Sequence, residues 1–456
     1  MSFSHHSRQA LSQWITALLP AIPIRSRATF VELLCACLVS PDGWVTRAIG
    51  AIVRRCHWNT YYKLIERGSI RSVPLARALL GLVQAVLPLL TLNLVIDDTL
   101  ALRHSPTAPG SAVRHDHARK NNRPDFVQAQ CWVTLGVSVL GAGGAKLVLP
   151  ILSRLVPNNG NRNKLTIALA LVRVMAPVLT VPVRLLCDSW FMRGRLVLPL
   201  RQRGIHVIAQ ARIDTALFLP PTAADQPQRG RRRKYGQRLG VEAIATLPSQ
   251  TLSLTLYGKP QTVRVRSVMA LARFLKGMPV HAVWCEFYDA TKQTWSKPRL
   301  LLATETELSA ETIVNLYARR WGIGVYFHVL KSGCQIKRLH LETEERLLPC
   351  LALYMVIAWR VLFTLMLGRT TPDMDCEIIF DPQEWRAAYI VVKLCPPPLT
   401  PPRLGEVILL VASLGGYLGR KHDGPPGAKA MWIGLQRLRD FVIALEAQQV
   451  VAQRCV

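Results

Sequence analysis

Residues 178–211 read VLTVPVRLLCDSWFMRGRLVLPLRQRGIHVIAQA, and this stretch decides the fold class. It opens with an apolar run, 178–187, that closes on Cys187-Asp188-Ser189. A helical segment at 190–203 follows, and then a second apolar strand at 206–211. Strand, acidic residue, helix, strand is the grammar of an α/β layer whose chemistry sits at strand ends. Toward the N-terminus the same grammar recurs: 92–96 is a run of Leu, Asn, Val and Ile that ends in Asp97-Asp98-Thr99. Beyond a polar, basic loop at 104–125, residues 127–139 read as a further buried strand.

Toward the C-terminus the pattern breaks at Pro220-Pro221 and at Arg229-Gly230-Arg231-Arg232-Arg233-Lys234. Arg231, Arg232, Arg233 and Lys234 suit contact with phosphate, and equally a solvated loop. Strand-like runs at 252–257, 263–268, 280–288 and 300–304 then suggest a β-rich insertion, about 220–305, in the α/β layer. Helical stretches follow at 311–331 and 342–367. A proline-rich linker, 396–402, precedes two more helices, 407–418 and 430–448. In the last of these Leu435, Leu438, Val442 and Leu445 form a stripe at 3-4-3 spacing that seals either an intramolecular pair or a dimer. The first 75 residues read as short helices at 30–38, 45–54 and 58–67. The last presents Asn59, Thr60, Lys63 and Arg67, which suits a helix-turn-helix reader of DNA or a helix pair that merely packs. The expected division is a helical N-terminal domain at 1–75, an α/β core at 76–395, and a linker with a helical C-terminal region at 396–456.

Composition narrows the function. The chain has 57 Lys plus Arg against 28 Asp plus Glu, a net charge of +29, while half of its residues are apolar. That is a folded protein with a field far stronger than solubility needs, suited to a polyanion such as nucleic acid. The eleven cysteines are scattered and never spaced C-x-x-C, which fits reduced thiols better than a disulfide framework or a zinc ribbon. Mean hydropathy is +0.21, and 131–153, 164–187 and 347–367 come nearest to membrane spans. Lys146, Arg173, Arg184 and Arg360 interrupt them, and Gln13 and Pro20 interrupt the N-terminal apolar run. The expectation is a cytoplasmic protein with no membrane partner.

On a wheel of about 100° per residue, Tyr317, Arg320, His328 and Lys331 line one stripe of the helix at 311–331. A hydroxyl and two cationic donors in a row suit a phosphate backbone. The surrounding residues 317–333, YARRWGIGVYFHVLKSG, resemble the Tyr–Arg–Glu–Lys signature of bacterial insertion-sequence transposases of the DDE type, the insertion-sequence-four family. Val95-Ile96-Asp97-Asp98-Thr99 resembles the family's first acidic motif and Leu186-Cys187-Asp188 its second. Leu414-Gly415-Gly416-Tyr417 and Trp432-Ile433-Gly434-Leu435 are similar to its C-terminal region. The likeness is best over 92–345, weaker over 380–445 and only general in the first 75 residues.

The resemblance implies a ribonuclease-H-like α/β core that cuts double-stranded DNA at the ends of a mobile element and rejoins it, in a bacterial cytoplasm. It implies a homodimer on the terminal repeats, and carboxylates that hold two Mg²⁺ ions for phosphoryl transfer. It assigns the second carboxylate to Asp188 and the first to Asp98, which directly precedes Thr99, with Asp97 as the alternative. The third should stand on the signature helix just beyond the motif arginine, Arg320, at the position where this chain has Gly324. A missing ligand predicts cleavage reduced by orders of magnitude, or a DNA-binding relic that inhibits an active copy. Two smaller signals are His115-Asp116-His117, a metal group or a solvated stretch, and Trp295, a base-stacking or a core tryptophan.

Overall fold

The apolar run that ends in Asp97-Asp98 forms β1 (Leu92–Leu102), the strand from which the rest of the sheet is laid out. The computed structural model describes residues 12–40, 44–52, 54–87, 89–116, 124–140, 146–158, 163–256 and 258–454. The polar loop expected at 104–125 contains a short strand, β2 (Ser111–His115). β3 (Phe126–Leu140) runs antiparallel to β1, and its far edge is shared end to end by β2 and by β4 (Lys146–Leu155). On the other side of β1, β5 (Val183–Cys187) and β6 (His206–Ala211) are both parallel to it. Three antiparallel strands followed by two parallel ones, in the order β4-β3-β1-β5-β6, make a ribonuclease-H-like core.

The helix Lys164–Met175 joins β4 to β5 and packs on Gly194–Arg201, which joins β5 to β6. The second helix is shorter than the expected 190–203. Asp188 accepts the backbone N–H groups of Trp190 and Phe191, so the chain stays in a turn until Gly194.

The β-rich insertion extends this sheet. After β7 (Leu217–Phe218) and β8 (Ser249–Leu256), the long strands β9 (Lys259–Ala272) and β10 (Met278–Asp289) form a hairpin. β11 (Thr294–Trp295) pairs with β10, and β12 (Arg299–Ala303) lies antiparallel against the free edge of β6. Pairing covers an edge that would otherwise expose unpaired backbone groups.

The helix Glu344–Thr370 is long and apolar enough to cross a membrane, yet its apolar length is entirely buried. The helices Arg27–Val39, Trp58–Glu66, Ser72–Val86, Leu404–Leu414 and Ala428–Arg454 pack around it. Its one mid-helix charge, Arg360, donates to both carboxylate oxygens of Glu384 at 2.9 Å. Both side chains are 5% exposed. Burial raises the Glu384 carboxyl, but Arg360, the Asp381 backbone and Arg439 together hold it below its usual range.

The apolar stretch at 131–153 is the β3–β4 hairpin, although its glycine cluster at 141–144 lies outside the described residues. In the last helix Leu438 and Val442 are buried and Leu435 and Leu445 pack at the edge of the core, so the stripe seals packing within the chain. The described cysteines are free thiols; Cys455 lies outside the described residues.

Candidate functional site

Strand register brings the acidic residues together. Parallel pairing of β1 with β5 runs from Leu92↔Val183 to Val95↔Leu186. Two residues further along each chain stand Asp97 and Asp188, in phase and beyond the last paired residue of β5. The neighbouring residue Asp98 alternates with Asp97 along the strand, and both open into the same cleft at the strand end. The partners differ accordingly. Asp97 Oδ2 accepts from Arg320 Nη1 at 2.6 Å, whereas Asp98 Oδ2 accepts from Lys164 Nζ at 2.7 Å and from Cys131 Sγ at 3.4 Å. Of the two aspartates, it is Asp97 that bonds Arg320.

Asp97, Asp98, Asp188, Lys164, Trp190 and Lys331 line a cleft of about 620 Å³, together with Arg114, His115, Asp116 and Lys337. Burial pushes the Asp97 carboxyl up to about 7; Arg320 opposes this, while Asp188 and Asp98 add to it. Burial also raises Asp188, against the pull of Arg320 and the N–H of Phe191.

The signature helix departs from a uniform wheel. It runs as Ala310–Arg319 and Gly322–His328, joined by tighter i→i−3 bonds from Arg320, Ile323 and Gly324, and ends in a π-helical turn, Val329–Gly333. Each irregularity rotates the residues beyond it about the helix axis, so the expected four-residue stripe is split. Tyr317 is buried and its hydroxyl donates to Gln210 at 3.1 Å. His328 turns to the C-terminal helix, its ring 5.3 Å from that of Trp432. Arg320 and Lys331 stay on the cleft side.

Gly324 lies between them in sequence, exposed, and a Cβ there meets no heavy atom within 4 Å beyond the adjoining helix backbone. No close approach requires glycine at this position. Its neighbour Gly322 is the contrary case: a Cβ there would stand 3.0 Å from the Val148 backbone nitrogen and 3.2 Å from the Leu147 carbonyl carbon.

The other sequence candidates are dispersed. Asn59 and Lys63 are exposed on Trp58–Glu66, whose opposite face buries Tyr61, Leu64 and Ile65. Arg231, Arg232, Arg233 and Lys234 are exposed on a loop closed by Gln226, which bonds the Arg233 backbone at both its N–H and its carbonyl. Trp295 lies under the Arg264 guanidinium, 4.6 Å from the ring centre, and beside Tyr288. His115 and Asp116 line the cleft, and His117 lies outside the described residues.

Sequence reasoning missed Lys164. It opens the helix capped by Asn163, whose side chain accepts the Thr166 N–H. A cation at a helix N-terminus is at the unfavourable end of the dipole, and that mismatch was the available signal.

A two-metal centre needs carboxylates that converge on shared ions. Here Asp97 and Asp98 each already hold an organic cation, and position 324 offers no side chain. Among the described residues, no group of three His, Cys, Asp or Glu side chains is placed to hold a metal ion. The residues present do not fit such a centre.

Comparison with known proteins supplies the lineage. A family model described as DDE superfamily endonuclease matches residues 17–270, more than half of the chain. A model described as the Tn5 transposase dimerisation domain matches residues 356–451. Among solved structures, a piggyBac transposase synaptic complex with hairpin DNA is similar at 12% identity and a TM-score of 0.34. The match covers 79% of this chain and 66% of that one, so this chain spans just under two thirds of its length. No curated protein matches. The chain belongs to the DDE superfamily endonucleases and carries, in its helical C-terminal part, the likeness of a Tn5 transposase dimerisation domain.

Proposed function

We propose that the chain is an insertion-sequence transposase that binds double-stranded DNA ends as a homodimer, and that its strand cleavage and transfer are impaired at position 324. The observation that carries this reading is Gly324: an exposed helical position between Arg320 and Lys331, with open space where the signature of the insertion-sequence-four family has glutamate. The net charge of +29 supports DNA binding, and the match over 356–451 supports dimerisation.

In this reading the first carboxylate is Asp97 rather than Asp98, because Asp97 is in phase with Asp188 and faces Arg320. Asp188 is oriented by the N–H groups of Trp190 and Phe191. Lys331 contacts the DNA backbone from the cleft wall, Arg320 joins it once DNA phosphate draws the guanidinium from Asp97, and Tyr317 positions Arg320, whose guanidinium lies 5.5 Å from its ring. Asn59 and Lys63, and the loop residues Arg231 to Lys234, add sequence-independent contacts to phosphate.

The test compares the chain as written with Gly324→Glu on a plasmid that carries the element's ends, in Mg²⁺ buffer. Cleavage by Gly324→Glu alone supports the reading; robust cleavage by the unaltered chain overturns it. Arg320→Ala and Lys331→Ala should each weaken duplex binding and flatten its dependence on salt by about one unit of log–log slope. If Gly324→Glu binds DNA but does not cut, the alternative gains: a DNA-binding relic that pairs with an active copy and inhibits it.

A further inference from the structure

We propose that Arg320 and Lys164 are resident counter-cations of the acidic site, and that the free chain therefore holds its three aspartates together without taking up a divalent ion. The proposal deepens the reading above and rests on it, since it concerns the same site.

Both pairs are close and sheltered. Arg320 and Asp97 are 2.6 Å apart, with side chains 12% and 19% exposed. Lys164 and Asp98 are 2.7 Å apart, with side chains 24% and 18% exposed. Charge-assisted bonds of this length in a half-dry site are strong, and breaking either leaves an uncompensated carboxylate.

Each cation is also held from behind. The Arg320 guanidinium sits against two aromatic rings, 5.5 Å from Tyr317 and 5.6 Å from Trp321. Lys164 lies 5.0 Å from the Trp190 ring and opens a helix whose dipole disfavours it. Asp98 offsets that penalty, which makes Lys164 a fixed member of the site and not a passing surface charge.

The charges then nearly close. With all three carboxylates ionised, Asp97, Asp98 and Asp188 contribute three negative charges, and their bonded cations Arg320 and Lys164 two positive ones. A divalent ion would have to displace a guanidinium or an ammonium from a carboxylate, or else raise the local charge above zero beside two fixed cations. Mg²⁺ sheds water reluctantly and needs near-octahedral oxygen ligands, so it competes poorly for such oxygens.

The experiment titrates Mn²⁺, as a spin-active probe, into the full chain without DNA and reads bound ion from the loss of the free-ion resonance. The unaltered chain should show no saturable site. Arg320→Gln should gain one, with affinity raised about tenfold or more, and Arg320→Gln with Asp97→Asn should lose it again. Circular dichroism and the melting profile establish that each variant is folded; Lys164→Gln, which frees Asp98 in the same way, serves where Arg320→Gln is not and should likewise gain a site, while Arg320→Lys, which keeps the charge, should stay without one. Saturable Mn²⁺ binding by the unaltered chain that vanishes in Asp97→Asn overturns the proposal. So does a site gained in Gly324→Glu, with Arg320 intact, but not in Arg320→Gln: the missing carboxylate would then be the whole defect. In that case the proposed function survives and the counter-cation role does not.

Discussion

Two glycines two residues apart should respond to the same substitution with opposite sign. At Gly324 the backbone is helical, the position is exposed, and no heavy atom beyond the adjoining helix backbone lies within 4 Å of an added Cβ. Alanine there removes the conformational freedom of glycine from the unfolded chain and adds no clash. It should stabilise the fold by about 0.5–1 kcal/mol. Glutamate, nearly as good a helix former, should be neutral to mildly stabilising, and Arg320 stands about one turn away. At Gly322 a Cβ would lie 2.9 Å from a Val148 methyl and 3.0 Å from the Val148 nitrogen. The backbone contact cannot swing aside, so alanine should cost about 1–3 kcal/mol as overpacking. The pair therefore differs by about 1.5–4 kcal/mol, several times the usual spread of surface substitutions. Urea denaturation followed by tryptophan fluorescence would read this as midpoint shifts in opposite directions. A destabilised Gly324→Ala would refute the reasoning: position 324 would then be packed, and its glycine would have a structural cause instead of marking a lost carboxylate.

The same geometry sets other outcomes. Arg360→Ala should destabilise by about 3–5 kcal/mol because it strands Glu384 in the core, whereas Arg360→Met combined with Glu384→Leu should recover most of that loss; urea midpoints of the single and double variants decide it. Asp97 titrates near 7 in the fold against an ordinary value of 3.8, so the folded chain binds its proton more readily than the unfolded one. The stability it contributes is complete below about 3.8 and is lost as pH rises through about 7. Between about pH 5 and 8 the melting temperature should therefore fall more in the unaltered chain than in Asp97→Asn, and equal slopes would count against the raised value. Trp432→Ala should change the environment of His328, seen as a shifted ring resonance, because the two rings are in contact.

The features legible in the sequence are those that depend on near neighbours. The order strand, aspartate, helix, strand at 178–211, the β-rich insertion and the helical C-terminal region all come from hydrophobic period and breakers. Gly324, where the proposed function places a lost glutamate, was visible because it is one letter in a local stretch. By contrast, β2 carries no apolar alternation across Ser111–His115; its pairing with β3 supplies the structure that its own residues do not specify.

The finer assignments needed tertiary structure. Asp97 and Asp98 are chemically identical and adjacent, so only the register of β1 on β5 selects the one in phase with Asp188. A helical wheel assumes constant rotation, and the tight turn at Arg320 with the π-helical turn at Val329–Gly333 breaks that assumption. The result turns Tyr317 toward Gln210 and leaves Arg320 on Asp97. Hydropathy marks the helix Glu344–Thr370 as long and apolar enough to cross a membrane, but only its neighbours show that it is the buried centre of a helical cluster. The sequence by itself determined most of the strands and helices and the superfamily, because these are properties of short windows. The tertiary structure decided which aspartate faces the signature helix and which cations sit on the carboxylates, because those depend on strand register and on residues more than sixty positions apart meeting in space.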